Sequence, residues 1–169
     1  NGVRVHMAEP VPAHAMSTPE LSLAIRRLHA HGGLNVSASH NHPDDNGGKF
    51  YNRAGGQDVP PDDEILARRV EGIAEVRRLD WEVALEEGWI RLLGESENKH
   101  YLDVNRRLAL APGQRSGTLV YTPLNGTGSC TVGRLLAAEG FDVREVPSQA
   151  GFDGGFPHVK FLAPNPEVP

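Results

Sequence analysis

Cysteine is nearly absent. One, Cys130, stands among 169 residues, which excludes an internal disulfide framework and a cysteine-based zinc cluster. Aromatics are scarce as well, 6% against a hydrophobic fraction of 38%, so any core is aliphatic. A basic excess is missing: 17 Lys and Arg face 22 Asp and Glu, a formal charge of −5. Nucleic-acid binders usually carry a basic patch, so no nucleic-acid partner is expected. No apolar run approaches the roughly 18 residues that a membrane span needs. The opening "NGVRVHMAEP" has neither the basic nor the apolar region of a secretory leader. The expectation is a soluble, cytoplasmic protein with no membrane partner.

What is present reads as alternating strands and helices. "VRVHM" (3–7) predicts a strand. "STPELSLAIRRLHA" (17–30) predicts a helix, with Ser17 and Glu20 at capping-box spacing and Leu21, Ala24, Ile25 and Leu28 on one face. Gly32 and Gly33 are expected to stop it. "LNVSA" (34–38) reads as a buried strand, "SHNHPDDNGG" (39–48) as a loop and "KFYN" (49–52) as a strand. "PPDDEILARRVEGIAEVRRL" (60–79) predicts one long helix with Leu66, Val70, Ile73 and Val76 along one side. "WIRLL" (89–93) predicts a strand and "NKHYLDVNRRLAL" (98–110) a helix. "GTLVYT", "CTVGRLLAAE" (130–139) and "FDVREV" together predict a βαβ unit, with Cys130 as a small core residue. The expected class is α/β, in layered α/β/α units with mixed to parallel sheets. Two partial domains are expected, 1–95 and 96–169.

Chemistry concentrates in the loop after the second strand. His40, His42 and Asp44 have spacing close to the His-x-His-x-Asp-His zinc motif of metallo-β-lactamase-type hydrolases, but the closing His is Asp45 here. A zinc-dependent hydrolase is therefore one reading. The other is phosphoryl transfer. Ser39 lies just past a strand, His40 flanks it, and Lys49 returns nearby; such groups can carry a phosphoryl group, move protons and offset negative charge.

"SASHNHPDDNGGKFY" (37–51) resembles the phosphoserine loop of the α-D-phosphohexomutases, the phosphoglucomutase/phosphomannomutase superfamily. The pattern there is Thr/Ser-Ala-Ser-His-Asn-Pro, a spacer, then Asn-Gly-x-Lys and an aromatic. The lead-in "STPELSLAIRRLHAHGG" and the following "GGQDVPP" resemble the flanks of that loop. "VYTPLNGTG" (120–128) resembles the Thr-Pro-Leu-His-Gly-x-Gly turn of the second domain. "DGGFPHVKFLAPNPE" (153–167) resembles the Asp-Gly-x-Phe-Pro…Pro-Asn-Pro-Glu run that follows. These motifs occur in family order over nearly the whole chain. Two positions depart: His42 stands where Pro is usual, which is what creates the apparent zinc motif, and Asn125 stands where His is common.

The resemblance implies a phosphohexose mutase, an isomerase that moves a phosphoryl group between hydroxyls of a phosphorylated sugar through a bisphosphorylated intermediate. Glucose 1-phosphate and glucose 6-phosphate are the first expectation. Ser39 would carry the phosphoryl group, His40 would support the loop, and Lys49 would stabilise charge or move a proton. Mg²⁺ would be held by Ser39 through its phosphate and by three aspartates of an Asp-Gly-Asp-x-Asp-Arg loop. No such loop occurs in the sequence. The resemblance thus implies the later part of domain 1 (1–95) and the first part of domain 2 (96–169), partnered by the remainder of a full-length enzyme. The isolated chain would then be catalytically inactive.

Overall fold

The computed structural model of the chain describes residues 2–10, 15–110, 115–165 and 167. Strand β1 (Val5–Ala8) is followed by helix α1 (Thr18–Arg27), strands β2 (Gly32–Val36) and β3 (Gly48–Asn52), and helices α2 (Asp62–Glu71) and α3 (Trp81–Glu86). Strand β4 (Ile90–Leu93) runs directly into α4 (Glu95–Arg106). Then come β5 (Thr118–Tyr121), a π-helical turn (Ser129–Gly133), α5 (Arg134–Ala138), β6 (Asp142–Glu145), α6 (Pro147–Ala150) and a 3-10 turn (Lys160–Leu162). The α/β class holds, with two parallel pairs and one antiparallel pair, each a separate two-stranded sheet among the described residues. β1 and β4 are parallel, Val5 opposite Ile90. β5 and β6 are parallel, Thr118 opposite Asp142, with the helical segment between them as the crossover that parallel pairing requires. β2 and β3 are antiparallel, with Asn35 opposite Lys49.

Helix α1 forms as its sequence dictates. Pro19 occupies the first turn, and the Glu20 carboxylate accepts the Ser17 N–H at 3.3 Å, one half of a capping box. The other half is open: Ser17 Oγ is buried with no hydrogen-bond partner among the described residues. Ala24 and Ile25 are buried, as the apolar spacing predicted. Burying an isoleucine contributes roughly 1.5–3 kcal/mol. The helix closes earlier than expected and by different residues. His29 takes φ 51°, its N–H donating to Arg26 O and that of Ala30 to Ile25 O, a Schellman closure. Gly32 and Gly33 are strand residues instead. A Cβ on Gly33 would lie 2.6 Å from Ile25 Cδ1, so glycine lets β2 approach the helix.

Other expectations are corrected. β2 is not a buried strand: the face carrying Gly33 and Asn35 meets α1, whereas Leu34 and Val36 are 52% and 66% exposed. The helix expected over 60–79 ends at Glu71, capped at Gly72. None of its residues is buried, and Val70, Ile73 and Val76 are exposed. Without a packed face, little sustains a helix through glycine. Helix α4 starts three residues before the predicted one and ends at Arg106, leaving Leu108 exposed. The predicted helix 130–139 begins as a π-helical turn, and Cys130 is half-buried rather than core. Helix α3 was not expected; Asp80 caps it, its carboxylate accepting from the N–H groups of Glu82 and Val83.

Candidate active site: the Ser39 loop

Strand β2 delivers the chain into the loop and β3 takes it back. Their ladder extends one step beyond the named strands, where Ser37 N–H donates to Gly47 O at 2.9 Å. From there the loop folds on itself. Ser39 N–H donates to Ser37 Oγ at 3.0 Å, and Asn41 N–H to Ala38 O at 3.2 Å. Asn46 Oδ1 accepts from Gly47 N–H at 2.8 Å, an Asx-type contact at the return. Ser39 sits at φ 60°, the left-handed region that costs an L-residue roughly 1–2 kcal/mol. Its side chain is exposed, and its Oγ lies 3.3 Å from His40 Nδ1, in hydrogen-bond contact.

Lys49 stands on β3 opposite Asn35 and is half-buried. It makes no ion pair or side-chain hydrogen bond with any described residue. The strand period puts Asn35, Lys49 and Tyr51 on the face toward α1. Asn35 Nδ2 donates to Thr18 Oγ1 at 3.0 Å, tying the first turn of α1 to the strand that leads to Ser39. Thr18 and Asn35 do not stand out in the sequence, and Ser37 stands out only as a rival to Ser39, not as its partner. It lies two positions before Ser39, a spacing at which a hydroxyl can hold a backbone N–H.

The two histidines do not converge. His40 faces Ser39, while His42 Nδ1 lies 3.4 Å from Asp44 Oδ2. Among the described residues no group of three or more His, Cys, Asp or Glu could hold a metal ion. The zinc-hydrolase reading of His40, His42 and Asp44 therefore has no ligand set behind it. The same observation bears on magnesium: the described side chains do not assemble the several oxygen ligands that a hard cation takes.

The turn in "VYTPLNGTG" (120–128) also has a structural counterpart. Leu124 and Asn125 take φ 49° and 59°, a conformation asparagine tolerates better than most residues. Asn125 N–H donates to Gln149 O, its Nδ2 to Gly151 O, and Asp153 N–H to Asn125 O. The side chain at the position where His is common thus serves as a buried donor. These bonds bring "TPLNG" and the start of "DGGFP" together, although 27 residues separate Thr122 and Gln149, whose side chains are also bonded.

Comparison with known proteins concerns the chain as a whole. The family model for phosphoglucomutase/phosphomannomutase, α/β/α domain I, matches residues 1–77. A phosphoribomutase of Saccharomyces cerevisiae is 33% identical over 98% of this chain and 29% of its own length. The chain belongs to the α-D-phosphohexomutase superfamily. A phosphoglucomutase of Staphylococcus saprophyticus is 29% identical over 90% of the chain and 28% of its own length. A crystal structure from Thermus thermophilus, assigned as a phosphomannomutase, superposes with a TM-score of 0.70 at 27% identity. The superposition covers 94% of this chain and 33% of that one. The chain spans under a third of the length of these two curated relatives. Among the described residues, no helix is long and apolar enough to cross a membrane.

Proposed function

We propose that the chain carries the phosphoryl-transfer loop of a cytoplasmic phosphohexose mutase, with residues 1–95 belonging to its first domain and 96–169 to its second. The Ser39 phosphoryl group passes to a free hydroxyl of a sugar monophosphate, glucose 1-phosphate being the first candidate. The P–O bond to Ser39 Oγ breaks, one to the sugar oxygen forms, and the sugar hydroxyl's proton ends on Ser39 Oγ. The bisphosphate reorients, and the reverse step returns its other phosphoryl group to Ser39. Lys49 supplies positive charge beside the transferred group. His40, in contact with Ser39 Oγ, holds the hydroxyl in place between the two transfers. Such catalysis rests mainly on positioning and electrostatics. Magnesium would come from ligands outside the described residues, so no step is assigned to it.

One observation carries the reading over Ser37: the two serines are held differently. Ser37 Oγ is engaged by the Ser39 N–H and its residue is half-buried. Ser39 is exposed, and among the described residues its oxygen meets only the His40 imidazole. The test is peptide mapping of the full-length protein after incubation with glucose 1,6-bisphosphate. Phosphate is expected on Ser39, and Ser39→Ala should abolish turnover. Lys49→Met should slow transfer while leaving some phosphoserine. Phosphate on Ser37 or His40, or near-normal turnover in Ser39→Ala, refutes the assignment. The 169-residue chain alone is expected to show no mutase turnover.

A further inference from the structure

Among the described residues, the two most deeply buried large side chains are polar. Glu20 on α1 is 2% exposed and Asn98 on α4 is fully buried. Asn98 Nδ2 donates to Glu20 Oε1 at 3.1 Å and to Cys130 O at 3.0 Å. Its Oδ1 accepts from Arg134 Nη1 at 2.5 Å, and the same guanidinium makes a two-pronged pair with Glu95. One carboxamide therefore joins α1, α4, the π-helical turn and α5. The partners dictate which way the amide points. Reversed, its oxygen would face a carboxylate and a carbonyl, and its NH₂ a guanidinium. Residue type is equally constrained. Leucine would leave the acceptors and Arg134 against apolar atoms, and aspartate would set a second carboxylate against Glu20.

The contacts continue to the loop. Glu20 also takes the Ser17 N–H and so fixes the first turn of α1. The next residue of that turn, Thr18, accepts from Asn35 on β2. β2 ends at Val36, and Ser37 then holds the Ser39 N–H. At the other end of α1, Arg27 Nη1 pairs with Glu97 on α4 at 2.9 Å. α1 is thus clamped to α4 at both ends, with the loop-bearing strand hung on its first turn.

We propose that Asn98 is a positioning residue for phosphoryl transfer: its buried carboxamide locks α1 to α4 and α5 and, through Thr18 and Asn35, sets where Ser39 stands relative to the second α/β unit. The inference rests on Ser39 being the phosphoryl carrier. Transfer demands that Ser39 stand accurately against the sugar hydroxyl it serves, and a 1 Å error costs roughly 10²-fold in rate.

The test uses the full-length protein with Asn98→Ala, Thr18→Val and the double variant, Lys99→Met as a control on the same helix, and circular dichroism to establish folding. With glucose 1-phosphate, kcat is expected to fall roughly tenfold to 10²-fold in Asn98→Ala, with KM changed far less. Thr18→Val, at an exposed position, should lower kcat in the same way. The double variant should be no worse than the weaker single one, because both break one chain of contacts; Lys99→Met should match the parent. A folded Asn98→Ala with parental kcat, a loss confined to KM, or strictly multiplicative effects would overturn the proposal. If Asn98→Ala does not fold, a parental kcat in Thr18→Val does the same. Peptide mapping of the parent separates the two levels. Absence of phosphate on Ser39 defeats the carrier assignment, whereas a phosphorylated Ser39 with unaffected variants defeats only the role of Asn98.

Discussion

Gly128 offers a sharp test of how the π-helical turn packs against β5. Its backbone is helical, at φ −62° and ψ −27°, so alanine fits the conformation. On backbone grounds alone Gly128→Ala should stabilise by about 0.4–1 kcal/mol, through a less flexible unfolded chain. The surroundings reverse that sign. A Cβ there would lie 2.2 Å from the hydroxyl oxygen of Tyr121, far inside contact distance, with Tyr121 Cζ and Pro123 Cβ at an ordinary 3.5 Å. Overpacking of this kind costs typically about 1–3 kcal/mol, so a net loss of about 1–2 kcal/mol is expected. The clash resides in one atom. That hydroxyl makes no hydrogen bond with any described residue. Tyr121→Phe alone should therefore be mild, and adding Gly128→Ala to it should be neutral or stabilising. Urea unfolding of the four proteins of the cycle, followed by circular dichroism, reads the coupling. It should amount to about 1–3 kcal/mol. Additivity within about 0.5 kcal/mol would show that the π-helical turn does not sit against Tyr121 as described.

Two further predictions concern α1 and the loop. Burial alone would raise the pKa of Glu97, but the Ser96 hydroxyl and the Arg27 guanidinium outweigh it and hold the carboxyl below its ordinary range. The unfolded chain then takes up the proton first, so this contribution is present above the ordinary glutamate range and is lost as pH falls through the folded value. The urea midpoint followed downward from about pH 6 should fall less steeply in Glu97→Gln, with an amplitude under about 1 kcal/mol because Arg27 is exposed to solvent; identical slopes would refute the pairing. At the loop, Ser39→Gly should be more stable than Ser39→Ala by about 1 kcal/mol, because only glycine relieves φ 60°. Equal unfolding midpoints for the two would mean that the left-handed conformation is not populated in solution.

Local patterns were legible in the sequence; distant partners were not. The face of α1 followed from the spacing of Leu21, Ala24, Ile25 and Leu28, and the β5–β6 crossover from two apolar runs flanking a helical one. The loop position of Ser39 followed from the turn formers after Val36. The long helix beyond Glu71 failed because periodicity alone does not say whether a neighbour exists to bury Val70, Ile73 and Val76. Gly33 was read as a helix stop because its true reason, the approach of Ile25, lies in packing. The Glu20–Asn98 contact joins residues 78 positions apart and leaves no local trace. A capping-box glutamate and an ordinary helix asparagine are all that the sequence displays. The candidate site was readable as a loop with a serine, a histidine and a lysine, but not the clasp of Ser37 on Ser39 or the tie from Thr18 to Asn35.

The strain at Ser39 and the proposed chemistry belong to one argument. The loop holds Asn41, Asn46 and Gly47, residues that suit left-handed backbone better than serine does, yet none of these has positive φ and Ser39 does. Its conformation is imposed from outside: the Ser37 hydroxyl takes its N–H, Asn41 bonds back to Ala38, and Gly47 O receives Ser37 N–H. Those bonds hold a hydroxyl outward at the turn, beside His40, where a glycine would relax the backbone and lose the oxygen. A residue kept in an unfavourable conformation by bonds that converge on it is a reason to look for function there. The turnover of the glycine variant, measured beside its stability, decides between the two accounts. If Ser39 is only a turn residue, glycine raises stability and nothing else changes. If Ser39 is the phosphoryl carrier, the same substitution raises stability and abolishes turnover together, because the relaxed backbone no longer presents any nucleophile.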